Sequence, residues 1–137
     1  MAQSKGQKRR GTLVYPSHQF KPEEWLDFIE MKPFTTLWGK LRLDDDDLWV
    51  VQAAIMADPT GPPVIPKTEG LRKIRFAPLR SDKGKRGGMR VCYVYFEEYK
   101  KVALAIVYPK SKKDDLTEAE LKVINDGIAR IKTELAQ

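Results

Sequence analysis

Residues Leu71 to Tyr108 read LRKIRFAPLRSDKGKRGGMRVCYVYFEEYKKVALAIVY, three extended segments with a basic loop between the first two. Leu71 to Ala77 alternates, with Ile74 and Phe76 on one face and Lys73 and Arg75 on the other, the period of a half-buried strand. Arg90 to Phe96 (RVCYVYF) and Val102 to Tyr108 (VALAIVY) are rich in β-branched and aromatic residues and apolar on both faces. They are expected as interior strands of a sheet. Glu97 to Lys101 connects them at ordinary hairpin length, and Pro78 to Gly88 makes a longer, glycine-containing basic loop. The segment is therefore expected to form an antiparallel meander of three strands.

Downstream, Thr117 and Glu120 have the spacing of a capping box, and Leu116 with Leu121 fits a hydrophobic staple across the cap. Leu121, Ile124, Ile128, Ile131 and Leu135 then recur every three or four residues, one apolar stripe of a C-terminal helix. The stripe suits a core or a surface that a partner covers. Gly127 in its interior weakens the helix by about 1 kcal/mol relative to Ala.

Upstream, the loop Pro59 to Gly70 follows a helix that Asp45 or Asp46 can cap, that runs to about Ala57, and that Asp58, Pro59, Thr60 and Gly61 stop. Leu48, Val51, Ala54 and Ile55 have helical spacing, so the acidic run Asp44 to Asp47 reads as a cap with first-turn charges that complement the helix dipole. Calcium loops instead space their acids at alternate positions around a glycine. Pro33 to Lys40 is a short helix. Trp25 to Met31 is ambiguous: Pro22, Glu23 and Glu24 resemble a helix start, while its length and the Pro33 stop suit a strand. Leu13 to Phe20 suits a short extended arm, and Met1 to Gly11 is basic, polar and without periodicity. Residues 1–24 are thus expected as a basic, flexible N-terminal extension. The fold class expected is α+β, a small antiparallel or mixed sheet flanked by helices.

The chain has 137 residues, 42% apolar and 32% charged, enough for one domain with a real core and too few for two. Its one cysteine, Cys92, excludes an internal disulfide, and no apolar leader is visible, so a cytoplasmic location is expected. The longest apolar runs fall far short of the roughly 18 residues of a membrane span.

Charge is concentrated. Between Arg72 and Arg90 stand eight cations (Arg72, Lys73, Arg75, Arg80, Lys83, Lys85, Arg86, Arg90) against one anion, Asp82, whereas the net charge of the whole chain is +6. Such a field attracts polyanions. The chain carries one histidine, His18, with no visible orienting partner, and Cys92 lies in an apolar strand. There is no Walker loop, GxGxxG, GxSxG or zinc spacing. No metal or cofactor is expected. Cleavage of RNA by attack of its own 2′-hydroxyl needs alignment, a proton acceptor and positive charge at the developing phosphorane, all of which cations can supply. Guanidinium groups bind phosphate bidentately, and a lysine crowded by cations is pushed toward its neutral, basic form. Lys73 and Arg75 share a strand face and Arg90 begins the neighbouring strand, so a cluster of the three is geometrically reasonable.

The order Glu69-Gly-Leu-Arg-Lys-Ile-Arg75, Gly84-Lys-Arg-Gly-Gly-Met-Arg90, Tyr108-Pro-Lys110 and Asp114-Asp-Leu-Thr-Glu-Ala-Glu120 resembles the HigB branch of the RelE superfamily, toxins of bacterial type II toxin–antitoxin pairs. The resemblance covers about Trp25 to Glu134. It implies a RelE-like (microbial RNase-like) fold over residues 25–137, with Trp25 to Met31 as its first strand. It further implies a metal-independent, ribosome-dependent mRNA endonuclease silenced by a cognate antitoxin protein, with operator DNA reached only through that antitoxin. Carried over by position, Lys73 and Arg75 lie near the scissile phosphate, Arg90 looks like the phosphate clamp, and Lys110 is a basic position at the end of the last strand. Ser111 stands where some relatives carry arginine, and a late catalytic tyrosine of some members has no clear counterpart. Arg72, Lys83, Lys85 and Arg86 are expected to contact messenger or ribosomal RNA. The competing reading is a non-catalytic RNA or ribosome binder, or an inactive homologue acting through its antitoxin, since contacts that only position phosphate need charge alone.

Overall fold

The computed structural model describes residues 20–79, 88–113 and 115–137. Residues 1–19 of the extension, including His18 and all of the expected arm but Phe20, lie outside the described residues, as do Lys83, Lys85 and Arg86 of the basic loop. The elements are β1 (Asp27–Glu30), α1 (Lys32–Lys40), α2 (Asp45–Ala57), β2 (Leu71–Phe76), β3 (Met89–Phe96), β4 (Lys101–Pro109) and α3 (Glu118–Leu135). The strands form one sheet in the order β1-β4-β3-β2. The meander β2-β3-β4 is antiparallel and β1 runs parallel to β4, so the sheet is mixed and the fold is α+β.

Trp25 to Met31 resolves as strand because both of its faces find a core. Phe28 packs with the cluster under α1 and α2, and Ile29 with the cluster under α3. The N–H of Asp27 donates to the Lys100 carbonyl at 3.1 Å and that of Met31 to Leu104 at 2.9 Å. The helix-start signal at Pro22-Glu23-Glu24 is absorbed by a single 3-10 turn, in which the Lys21 N–H donates to Glu24 Oε1 at 2.8 Å. Phe20 packs edge-on against Trp25 and Trp49, and the two indoles stack at 5.7 Å.

The cap of α2 is Asp44, one or two residues earlier than the expected Asp45 or Asp46. Asp44 Oδ1 accepts the Asp47 N–H at 2.9 Å and Asp47 Oδ2 accepts the Asp44 N–H at 3.0 Å, a reciprocal capping box. The remaining Asp47 oxygen accepts the Leu79 N–H at 2.8 Å, which ties the chain just beyond β2 to α2. This carboxyl is 3% exposed, and burial raises its pKa against the lowering effect of those amides.

Alternation along the strands divides the core in two. Phe34, Val51, Ile55, Phe76, Val91, Tyr93, Val102, Leu104 and Val107 pack on the α1–α2 face, while Leu71, Cys92, Val94, Ala103, Ala105, Ile106 and Tyr108 pack on the α3 face with Ile124 and Ile128. Full burial of such an apolar side chain contributes about 1.5–3 kcal/mol. Cys92 pairs with Ile106 but Tyr93 with Leu104, leaving Ala105 as the extra residue of a bulge. Ala105 and Ile106 therefore both enter the α3 core. The stripe of α3 is core, with Leu121, Ile131 and Leu135 half-buried around Ile124 and Ile128. Gly127 has a packing reason: a Cβ there would lie 2.6 Å from Met31 Cε. No helix among the described residues is long and apolar enough to cross a membrane.

Candidate functional site

Cross-strand partners share a sheet face, so the register writes the α3 face as rows running across the strands. One row is Lys73, Cys92 and Ile106; the next is Arg75, Arg90 and Tyr108. The Lys110 N–H donates to the Gly88 carbonyl at 3.2 Å, which sets Lys110 one row further out. Gly88 has φ +35°, and a Cβ there would lie 3.1 Å from the Phe76 carbonyl oxygen, so only glycine brings β3 this close to the end of β2. The structure thus brings Lys73, Arg75, Arg90 and Lys110 to one end of one face.

Arg75 and Arg90 are directly opposed, an arrangement that destabilises a sheet when the charges are alike. Arg75 is exposed, but Arg90 is only 9% exposed and makes no ion pair or side-chain hydrogen bond among the described residues. No buried side-chain nitrogen or oxygen there lacks a hydrogen-bond partner, so the Arg90 guanidinium nitrogens keep some exposure in an otherwise enclosed side chain. A guanidinium fork can bind an oxyanion bidentately.

Around this row the side chains are tied down. Lys73 Nζ lies 3.4 Å from Asp115 Oδ1. Lys113 Nζ sits 5.2 Å from the Tyr108 ring centroid and pairs with Glu120, whose carboxylate also accepts the Thr117 N–H at 2.8 Å. Burial alone would raise the Glu120 carboxyl, but the bonds from Lys113 and Thr117 hold it below the usual value. Thr117 Oγ1 accepts the Glu120 N–H at 3.1 Å, so the expected capping box is present. Lys113, Asp115 and Thr117 of the segment between β4 and α3 therefore lie beside the cations.

Beneath them, burial pushes the Cys92 thiol up to about 12, against the lowering effects of Lys73 and a hydrogen bond with Tyr108. Burial, then Cys92, raises the Tyr108 phenol as well. Both shifts favour the protonated thiol and phenol.

Arg72 stands elsewhere. It is out of phase with Lys73 and Arg75, and its Nη1 donates to the carbonyls of Thr60 at 3.0 Å and Pro62 at 2.5 Å. It pins the loop before β2, where Val64 bridges to Arg72 itself. Tyr108, Lys113, Asp115 and Glu120 are the residues that sequence reasoning did not single out for the site. The signal for them was the Tyr108-Pro-Lys110 string together with the Thr117–Glu120 box, which places the start of α3 immediately after the end of β4.

No protein-family model matches this chain. Among solved structures, a double arginine-to-alanine mutant of the E. coli toxin RelE in the free state aligns with it at a TM-score of 0.48 and 17% identity, covering 78% of this chain and 98% of that chain.

Proposed function

We propose that residues 25–137 form a HigB-like toxin domain, a ribosome-dependent mRNA endonuclease of the RelE superfamily held inactive by a cognate antitoxin. The single observation that carries this reading is Arg90: a guanidinium with an enclosed stem, an unpaired head among the described residues, and Arg75 as its cross-strand neighbour. A bound phosphate offsets the repulsion within such a pair.

In this mechanism Arg75 and Arg90 grip the scissile phosphate and stabilise the charge that builds on its oxygens. The RNA 2′-oxygen bonds to phosphorus while the bond to the 5′-oxygen breaks, leaving a 2′,3′-cyclic phosphate and a free 5′-hydroxyl. One proton leaves the 2′-hydroxyl and one reaches the 5′-oxygen. Lys73 and Lys110 flank the clamp one row to either side and serve these transfers. Lys83, Lys85 and Arg86 of the loop contact RNA backbone, and the ribosome supplies alignment of the strand.

The test is cleavage of a defined message by the purified chain, with and without programmed ribosomes. Wild type cuts only with ribosomes, and Arg90→Met, which keeps an apolar stem, cuts about 10²–10³-fold more slowly. Cutting at an undiminished rate by Arg90→Met removes the clamp assignment. Binding to ribosomes without any cutting by wild type replaces this reading with the non-catalytic one.

A further inference from the structure

We infer that Asp115 is an internal stand-in for a substrate phosphate: its carboxylate occupies the anion position at Lys73, and a polynucleotide binds by displacing it. This rests on the reading of the cationic face as a phosphate-binding surface. Lys73 and Arg75 lie two residues apart on one strand face, about 7 Å, a step comparable to that between neighbouring phosphates of an extended single strand. With one phosphate in the Arg75–Arg90 row, the next falls at Lys73.

That position already holds an anion. Asp115 Oδ1 is 3.4 Å from Lys73 Nζ, and the Asp115 side chain is 85% exposed against 31% for Lys73. The carboxylate thus approaches from the solvent side, as a ligand would. Near it in sequence, Lys113 contacts Tyr108 and Glu120, and Leu116 and Thr117 are held at the start of α3. Exposed pairs of this kind are weak, so the contact is readily exchanged. The rows Lys73 and Arg75–Arg90 consequently differ: one is screened by the chain's own carboxylate, the other is open.

The experiment measures binding of the full chain to a fluorescein-labelled single-stranded 2′-deoxyoligonucleotide, which lacks the attacking hydroxyl, by anisotropy at low salt. Asp115→Asn binds about two- to fivefold more tightly than wild type. Asp126→Asn, which removes an equal charge from the outer surface of α3 where Asp126 pairs with Lys122, gives a smaller change. In a Lys73→Gln background, Asp115→Asn gives no gain. An equal gain from Asp126→Asn, a gain that survives Lys73→Gln, or no gain at all overturns the inference while leaving the cationic face intact. If wild type fails to bind at all, the reading of the face falls and this inference falls with it.

Discussion

The two sides of β2 end differently at the same edge of the sheet. On the α1–α2 side, Phe76 stacks on Trp38 at 5.8 Å, Trp38 stacks on Phe34 at 5.1 Å, and Asp47 is bonded on both oxygens. On the α3 side, one residue away, Arg75 faces Arg90 with no anion on either among the described residues. The period of two lets one strand serve packing and charge at once. At this edge the closed side is packed with rings, and the open side carries the electrostatic cost of two opposed like charges.

Four substitutions separate the sides, and the largest effect belongs to the closed one. Phe34→Ala removes the fully buried end of the ring stack and lowers stability by about 3–5 kcal/mol, read by denaturant titration. Its oligonucleotide binding below the melting transition matches wild type; a parallel loss of binding would show that the sides are coupled.

Alkaline stability probes the floor of the open side. There Cys92 rises from 9.0 to about 12 and Tyr108 is raised too, while Tyr93 on the α1–α2 side rises from 10.0 to about 12. An acid whose pKa is higher in the fold contributes stability that is fully present below its unfolded pKa and lost as pH climbs through the folded value. The melting temperature therefore falls above pH 9, and Cys92→Ala makes that decline shallower between pH 9 and 12, whatever its absolute effect at pH 7. An unchanged slope would mean that the thiol is not enclosed.

Arg75→Gln relieves the opposed charges and raises stability by about 0.2–1 kcal/mol, while oligonucleotide affinity falls. If both stability and affinity fell, the arginine would be serving the fold rather than a ligand. The smallest effect is at Gly127→Ala, where about 1 kcal/mol of helix propensity is offset by displacement of the flexible end of Met31, leaving the calorimetric transition nearly in place.

Much of the local structure was legible. Alternation in LRKIRF put Lys73 and Arg75 on a common face, whereas Arg72, expected among the RNA contacts, bonds the Thr60 and Pro62 carbonyls instead. The Thr117–Glu120 box and its stripe located α3. Harder were features that depend on distant atoms. Four consecutive aspartates offer several caps, and Asp44 forms the box with Asp47, the residue that Leu79 also engages. Trp25 to Met31 became a strand only because β4 offered an edge and each sheet face a pocket.

What the amino-acid order determined by itself is periodic: which residues share a face, where helices can start, and where cations crowd, because these follow from 3.6- and 2-residue repeats and local hydrogen bonds. Tertiary structure alone decided which rows meet. The pairing of Arg75 with Arg90 and Tyr108, the bulge at Ala105, and the contact of Asp115 with Lys73 join segments across intervening chain. Their geometry is set by the closing of loops and the filling of a shared core, so no local pattern contains it.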